Sequence, residues 1–245
     1  MRNIQLLVAY NGGFYSGWQI QPNIPTVQGE IEAALIHMTG KPCRVRGASR
    51  TDAGVHALGQ IANFRTESDI SCHAFLRGLN SLLPSDISIL DVNEVSLSFD
   101  SRTQNFGKHY RYSVWNSPEI PPVHKQTTFH RYSPLNLKAM AEAARMMVGE
   151  YDFAAFRAAD CECETSIRTI FRCTVSTNGA LIAIDVDGKA FLKNMVRIMA
   201  GTLIDIGSGK LHPTIIEELL SKGDRTLAGV TAPAQGLCLV RVFLS

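Results

Sequence analysis

Apolar positions along the chain recur with two periods, and the switches between them outline the elements. IQLLVAY (4–10) is a continuous apolar run of strand length. Val27, Ile31, Ala34, Leu35 and Met38 repeat at helical spacing, which predicts an amphipathic helix over 26–39 closed by Gly40 and Pro42. CRVRGAS and QIANFRT read as strands on either side of the turn RTDAGVH (50–56). A second helix over about 72–83 stops at Pro84, and the strand ISILDVNEV follows.

The pattern then restarts. KHYRYSVW (108–115) alternates, with Lys108, Tyr110 and Tyr112 on one face and His109, Arg111 and Ser113 on the other. A proline-bearing loop (117–134) leads to a helix marked by Leu137, Met140, Ala141, Ala144 and Met147. TIFRCTVST and LIAIDVDG read as a hairpin around Asn178-Gly179. Helices over 191–205 and 213–221 precede a last strand, GLCLVRVFL. The expected fold class is α+β: two related halves with mostly antiparallel sheets, 1–105 and 106–245, with the boundary near 100–106.

Composition narrows this only a little. At 245 residues, 45% hydrophobic and 19% charged, the chain is long enough to bury a core and too apolar to be disordered. No apolar run approaches the roughly 20 residues of a membrane helix, and MRNIQLLVAY, interrupted by Gln5, is a poor signal peptide. A cytoplasmic protein is the expectation. Six scattered cysteines include one close pair, Cys161 and Cys163, in a Cys-x-Cys spacing without a matching second pair. Reduced, mostly buried thiols are expected, and no metal site.

The net charge of +2 is small, but its distribution is uneven. Residues 41–50 carry Lys41, Arg44, Arg46 and Arg50 with no acid. Residues 101–131 carry Arg102, Lys108, Arg111, Lys125 and Arg131 against Glu119 alone, whereas 85–100 holds Asp86, Asp91, Glu94 and Asp100 with no Lys or Arg. Such segregation suggests a positive face able to meet a polyanion, or simply solvated strands.

Several motifs fail on their spacing. GSGK (207–210) lacks the Ser/Thr and the upstream glycine of a phosphate loop, and a helix-ending glycine explains it. No Gly-x-Gly-x-x-Gly follows a strand, so no dinucleotide cofactor is expected. Ser49, Asp52 and His56 lie too close in sequence for a hydrolase triad, and no Gly-x-Ser-x-Gly elbow is present. In FLKNMVRIMAG (191–201), Leu192, Met195, Val196, Met199 and Leu203 form a buried stripe, with Lys193, Asn194 and Arg197 opposite. Asp52, followed by Ala53 and Gly54, is either a turn-former or a carboxylate presented for chemistry.

Segments in chain order decide between these. GFYSGWQIQ, TVQGEIE, RTDAGVHALGQIANF, LRGLNSLLP, KHYRY, YDFAAFR with IRTI, FLKNMVRIMAG and APAQGL resemble the tRNA pseudouridine synthase A family over nearly the whole chain. Ser49 stands for a usual glycine, Asn11 for a common aspartate and Gln235 for a common histidine. The resemblance implies that the halves share a mixed sheet, with helices on one side and an RNA-binding cleft on the other. It implies isomerisation of uridine to pseudouridine at positions 38, 39 and 40 of the tRNA anticodon stem-loop, by a homodimer without cofactor. It also assigns Asp52 as nucleophile and Arg197 as its cationic partner. Tyr110 would stack on the base near its C5 proton, and Arg50 would enter the RNA stack. A non-catalytic RNA-binding protein and a metal-dependent hydrolase are the alternatives; KHYRYSVW lacks the RNP pattern, and ligand clusters are missing.

Overall fold

The structure, a computed structural model, describes residues 1–161 and 163–244. In chain order its elements begin β1 (Arg2–Tyr10), α1 (Val27–Thr39), β2 (Arg46–Gly47), β3 (His56–Thr66), α2 (Cys72–Leu82) and β4 (Ile87–Val95). They continue β5 (Asn105–Asn116), β6 (Phe129–Arg131), α3 (Leu137–Met146), β7 (Gly149–Asp152), β8 (Ile167–Asn178) and β9 (Leu181–Gly188). The last are α4 (Met195–Gly207), α5 (Ile215–Lys222) and β10 (Leu237–Leu244). The class is α+β. The chain forms two compact units, Met1–Phe106 together with the chain from Leu239 onward, and Gly107–Cys238. The expectation placed 106–245 in the second half; Phe106 and the final strand from Leu239 onward cluster with the first unit.

In the first unit β1 lies between β4 and β3, antiparallel to both, and β10 follows β3. Alternation along β1 sends Ile4, Leu6, Val8 and Tyr10 into the core. Register sets Ile4 beside Phe64 and Leu6 beside Ala62 on that same face. Phe64 meets Phe75 of α2 edge to face, 5.4 Å between ring centroids. Helix α1 starts where the Thr26 hydroxyl accepts from the Gly29 N–H and buries Val27, Ile31 and Leu35, one turn apart. Each such fully buried side chain contributes about 1.5–3 kcal/mol.

The second unit has the order β5-β9-β8-β7, all antiparallel, with β6 running parallel to β5, which makes the sheet mixed. Tyr110, Tyr112 and Val114 of β5 pair with Val186, Ile184 and Ile182 of β9, and all six are buried. The opposite face carries His109, Arg111, Asp185 and Asp187. Asp185 accepts from His109 Nε2 at 2.7 Å and from Arg111 Nε and Nη2 at 2.8 and 3.1 Å. Burial works to raise the pKa of Asp185, but these hydrogen bonds and charges outweigh it and hold the carboxyl at about 2.

Several expectations are corrected. CRVRGAS contributes only a two-residue strand, whereas β3 begins at His56, four residues before QIANF. The loop 117–134 contains β6, and β7 follows α3; neither is long enough to show a period. The hairpin loop is Gly179-Ala180, since Asn178 still pairs with Leu181. Helix α4 starts at Met195 because Asn194 is left-handed (φ 61°, ψ 5°). It is buried all round except at Arg197 and Asp205, so it has no polar face, and Lys193 and Asn194 precede it.

The charge pattern is corrected too. Lys108 is 9% exposed and burial lowers its pKa, while Arg111 on the other face is neutralised by Asp185, so 101–131 forms no single basic surface. All six cysteines are free, but only Cys43 and Cys173 are buried; of the CEC segment, residue 162 lies outside the described residues.

Candidate active site

The turn that carries Asp52 follows from its flanks. Ala48 N–H donates to Ile61 O, which ends the β2–β3 ladder. The buried Gln60 side chain then continues it, its Oε1 accepting from Ser49 N at 3.2 Å and its Nε2 donating to Ser49 O at 2.7 Å. A Val55 N–H to Asp52 O bond of 3.1 Å closes the turn, with Gly54 left-handed at φ +77°. Thr51 is buried; Arg50 is exposed and Asp52 half-buried on either side of it.

What holds this turn is the glycine-aromatic loop after β1. Trp18 N–H donates to Thr51 O (3.1 Å), Gly54 N–H to Tyr15 O (3.3 Å), and Gly12 N–H to His56 Nδ1 (3.1 Å). Tyr10 and Thr51 join their hydroxyls at 2.8 Å. Gly17 has φ +90°, and a Cβ there would sit 2.4 Å from Thr51 O, so only glycine lets this loop approach the Asp52 turn. Tyr15 ties the loop to the start of β4 by donating to Asp86 Oδ1 at 2.6 Å; burial and that carboxylate push the pKa of its hydroxyl well above the ordinary range.

In the second unit Tyr110 is 6% exposed and meets Phe191 edge to face at 5.1 Å. Its neighbour on the same face, Tyr112, donates to Pro233 O at 2.9 Å. Burial raises the pKa of Tyr112, while the Arg197 guanidinium pulls it down. Arg197 is the single basic residue of α4, in its first turn. Its Nε donates to Ala232 O at 2.8 Å, its carbonyl accepts from Ala232 N–H at 3.1 Å, and its Nη1 donates to Asn194 Oδ1 at 2.9 Å. This clamp needs Gly201, where a Cβ would strike Val230 O at 1.8 Å.

Arg50 and Asp52 therefore share one turn of the first unit, and Arg197 lies near the Tyr110–Tyr112 face of the second. Tyr10, Gly17, Thr51, Gln60, Tyr112 and Asn194 were missed as supporting residues. The two glycines and aromatics of GFYSGW were the available signal for the first unit's part. Among the described residues no group of three or more His, Cys, Asp or Glu could hold a metal ion, and no helix is long and apolar enough to cross a membrane.

Comparison with known proteins places the chain. The profile of the tRNA pseudouridine synthase family matches residues 6–103 and 143–243. A tRNA pseudouridine synthase A of Geotalea daltonii is 50% identical over 243 residues, covering 99% of this chain and 100% of the relative. Those of Geotalea uraniireducens and Caldicellulosiruptor saccharolyticus are 49% and 45% identical, each over 99% of this chain and 100% and 99% of their own. The chain belongs to the tRNA pseudouridine synthase A family.

Proposed function

We propose that this chain isomerises uridine to pseudouridine in tRNA, at positions 38, 39 and 40 of the anticodon stem-loop, with Asp52 as nucleophile. The reaction breaks the bond from uracil N1 to ribose C1′, turns the base over and joins C5 to C1′. N1 gains a proton and C5 loses one, so atoms balance without a redox partner or group donor, and no cofactor is invoked.

The observation that carries the reading is the double clamp on the Asp52 turn. A half-buried carboxylate is held through Thr51, Gly54 and His56 by the 12–18 loop, and through Ser49 by Gln60. Such fixing suits a nucleophile that must meet an electrophilic carbon in one geometry. Arg197, itself oriented by Ala232 O and Asn194 Oδ1, is assigned as the cation that keeps this carboxylate ionised. Tyr110 stacks on the base and lies near its C5 proton, in a position to take part in its removal. Arg50, exposed beside Asp52, enters the RNA stack and offsets part of a flipping cost of a few kcal/mol. The reading is completed by a cytoplasmic homodimer whose two subunits share one tRNA across a common RNA-binding cleft.

The experiment is Asp52→Asn, nearly isosteric but no nucleophile. Carbodiimide-adduct primer extension on tRNA should show no pseudouridine at the three positions, with tRNA affinity within a few-fold of wild type. Product at near wild-type rate removes Asp52 from the role, and stops elsewhere in the tRNA correct the target.

A further inference from the structure

The first unit holds a second feature that the reaction chemistry does not use. A cleft of about 340 Å³ is lined by Arg44, Arg46, Asn63, Phe64, Arg65, Phe99 and Asp100. We propose that it grips the phosphate backbone of the tRNA beside the target nucleotide. The proposal rests on the tRNA reading above and deepens it.

The convergence of the three arginines is built by strand geometry. Arg46 pairs with Asn63 across β2 and β3, and Arg65 lies two residues further along β3, on the same face about 7 Å away. This face is the reverse of the one that Phe64 presents to α2. The segment 96–101 crosses it and forms the other wall, held by two buried amides. Asn3 Nδ2 donates to Ser96 O and Phe99 O at 2.8 and 2.9 Å, and Asn63 Oδ1 accepts from Ser101 N at 3.0 Å. That wall in turn orients two guanidiniums, Arg46 on Asp100 Oδ2 (2.7 Å) and Arg65 on Leu97 O (2.9 Å).

Arg44 is different. It is exposed, and its guanidinium has no hydrogen-bond or ion-pair partner among the described residues. One carboxylate therefore faces three guanidiniums, two of them pre-oriented and one uncommitted. Guanidinium forks match phosphate oxygens in a bidentate way, and a rigid wall lowers the ordering cost. The location also fits. Asp52 follows Arg46 by six positions, so the cleft lies within roughly 20 Å of the proposed nucleophile, a reach suited to backbone flanking a flipped nucleotide.

The test measures affinity for unmodified tRNA by filter binding between about 50 and 200 mM salt, for wild type, Arg44→Ala, Arg44→Glu and Arg44→Lys. Arg44→Ala should bind several-fold more weakly and flatten the slope of log affinity against log salt by about 1. Arg44→Glu should weaken binding further, and Arg44→Lys should restore most of it. Melting temperatures equal to wild type keep the comparison free of folding effects. Unchanged affinity and slope in both Arg44→Ala and Arg44→Glu, with steep salt dependence in wild type, overturn this inference alone. A wild-type protein that does not bind tRNA overturns the enzyme reading and this inference together. Saturable binding of inorganic phosphate that Arg44→Ala abolishes, with the tRNA slope intact, assigns the cleft to a small free anion and also overturns it.

Discussion

Asn194 precedes helix α4 but does not cap it: its Oδ1 accepts a hydrogen bond from Nη1 of Arg197 at 2.9 Å, and it does so from left-handed backbone. The helix thus leaves its first N–H groups without a side-chain cap from Asn194, and the amide instead fixes the direction of a guanidinium. Asn tolerates that backbone better than other non-glycine residues. Backbone and side chain can be separated by substitution. Asn194→Gly should keep the melting temperature within a degree or two yet lower single-turnover pseudouridine formation about tenfold. Asn194→Ala should lose the same activity and a further ~1 kcal/mol of stability. Full activity in Asn194→Gly would mean that the Arg197 orientation does not depend on this bond.

Gly17 tests the clamp on Asp52 from the other side. In Gly17→Ala the new Cβ meets Thr51 O at 2.4 Å in a backbone with φ +90°, so the turn must shift. We expect a loss of about 2 kcal/mol, seen as a melting temperature lower by roughly 4–8 °C. If Asp52 is the nucleophile as proposed, single-turnover rate should fall by about a hundredfold, the cost of a small misplacement. A rate near wild type in this variant would show that the turn need not be held rigidly.

Tyr110 has two candidate contributions, its ring and its hydroxyl. Tyr110→Phe preserves the edge-to-face contact with Phe191 and deletes only the hydroxyl. If that group takes part in removing the C5 proton, turnover should fall by about a hundredfold, the scale of general acid-base catalysis, with tRNA affinity unchanged. An active Phe variant beside an inactive Tyr110→Ala would assign the ring to stacking instead.

Asp185 predicts a pH dependence of stability. Its folded pKa, about 2, lies below the unfolded value near 3.9, so its contribution is fully present above the unfolded value and is lost as pH falls through the folded one. Urea unfolding between about pH 4 and pH 2 should show the wild type losing about 2 kcal/mol more than Asp185→Asn. Parallel losses in the two proteins would mean that the His109 and Arg111 bonds do not stabilise the charged form.

Local pattern and tertiary context divided the information unevenly. Helix α1 was legible because burial on one face imposes a helical period, β1 because its apolar run is continuous, and α2 and β9 because Pro84 and the Asn178-Gly179 turn mark their limits. The short strands β6 and β7 were not, being three and four residues long and without a readable period. The start of α4 was misread for a specific reason. Leu192 is as buried as the helix itself, so the apolar stripe begins before the left-handed Asn194 and runs past it into α4.

By itself the sequence determined the α+β class and the family, because each is written in contiguous residues, and it singled out the turn RTDAGVH, to which the chemistry is proposed to belong. Tertiary structure alone decided what holds that turn in place. Gly17 touches Thr51, Tyr10 bonds Thr51, and Tyr112 reaches Pro233 across 34, 41 and 121 residues of chain. Approaches of that kind depend on where a fold returns the chain, and no local period of hydrophobic and polar side chains encodes the return.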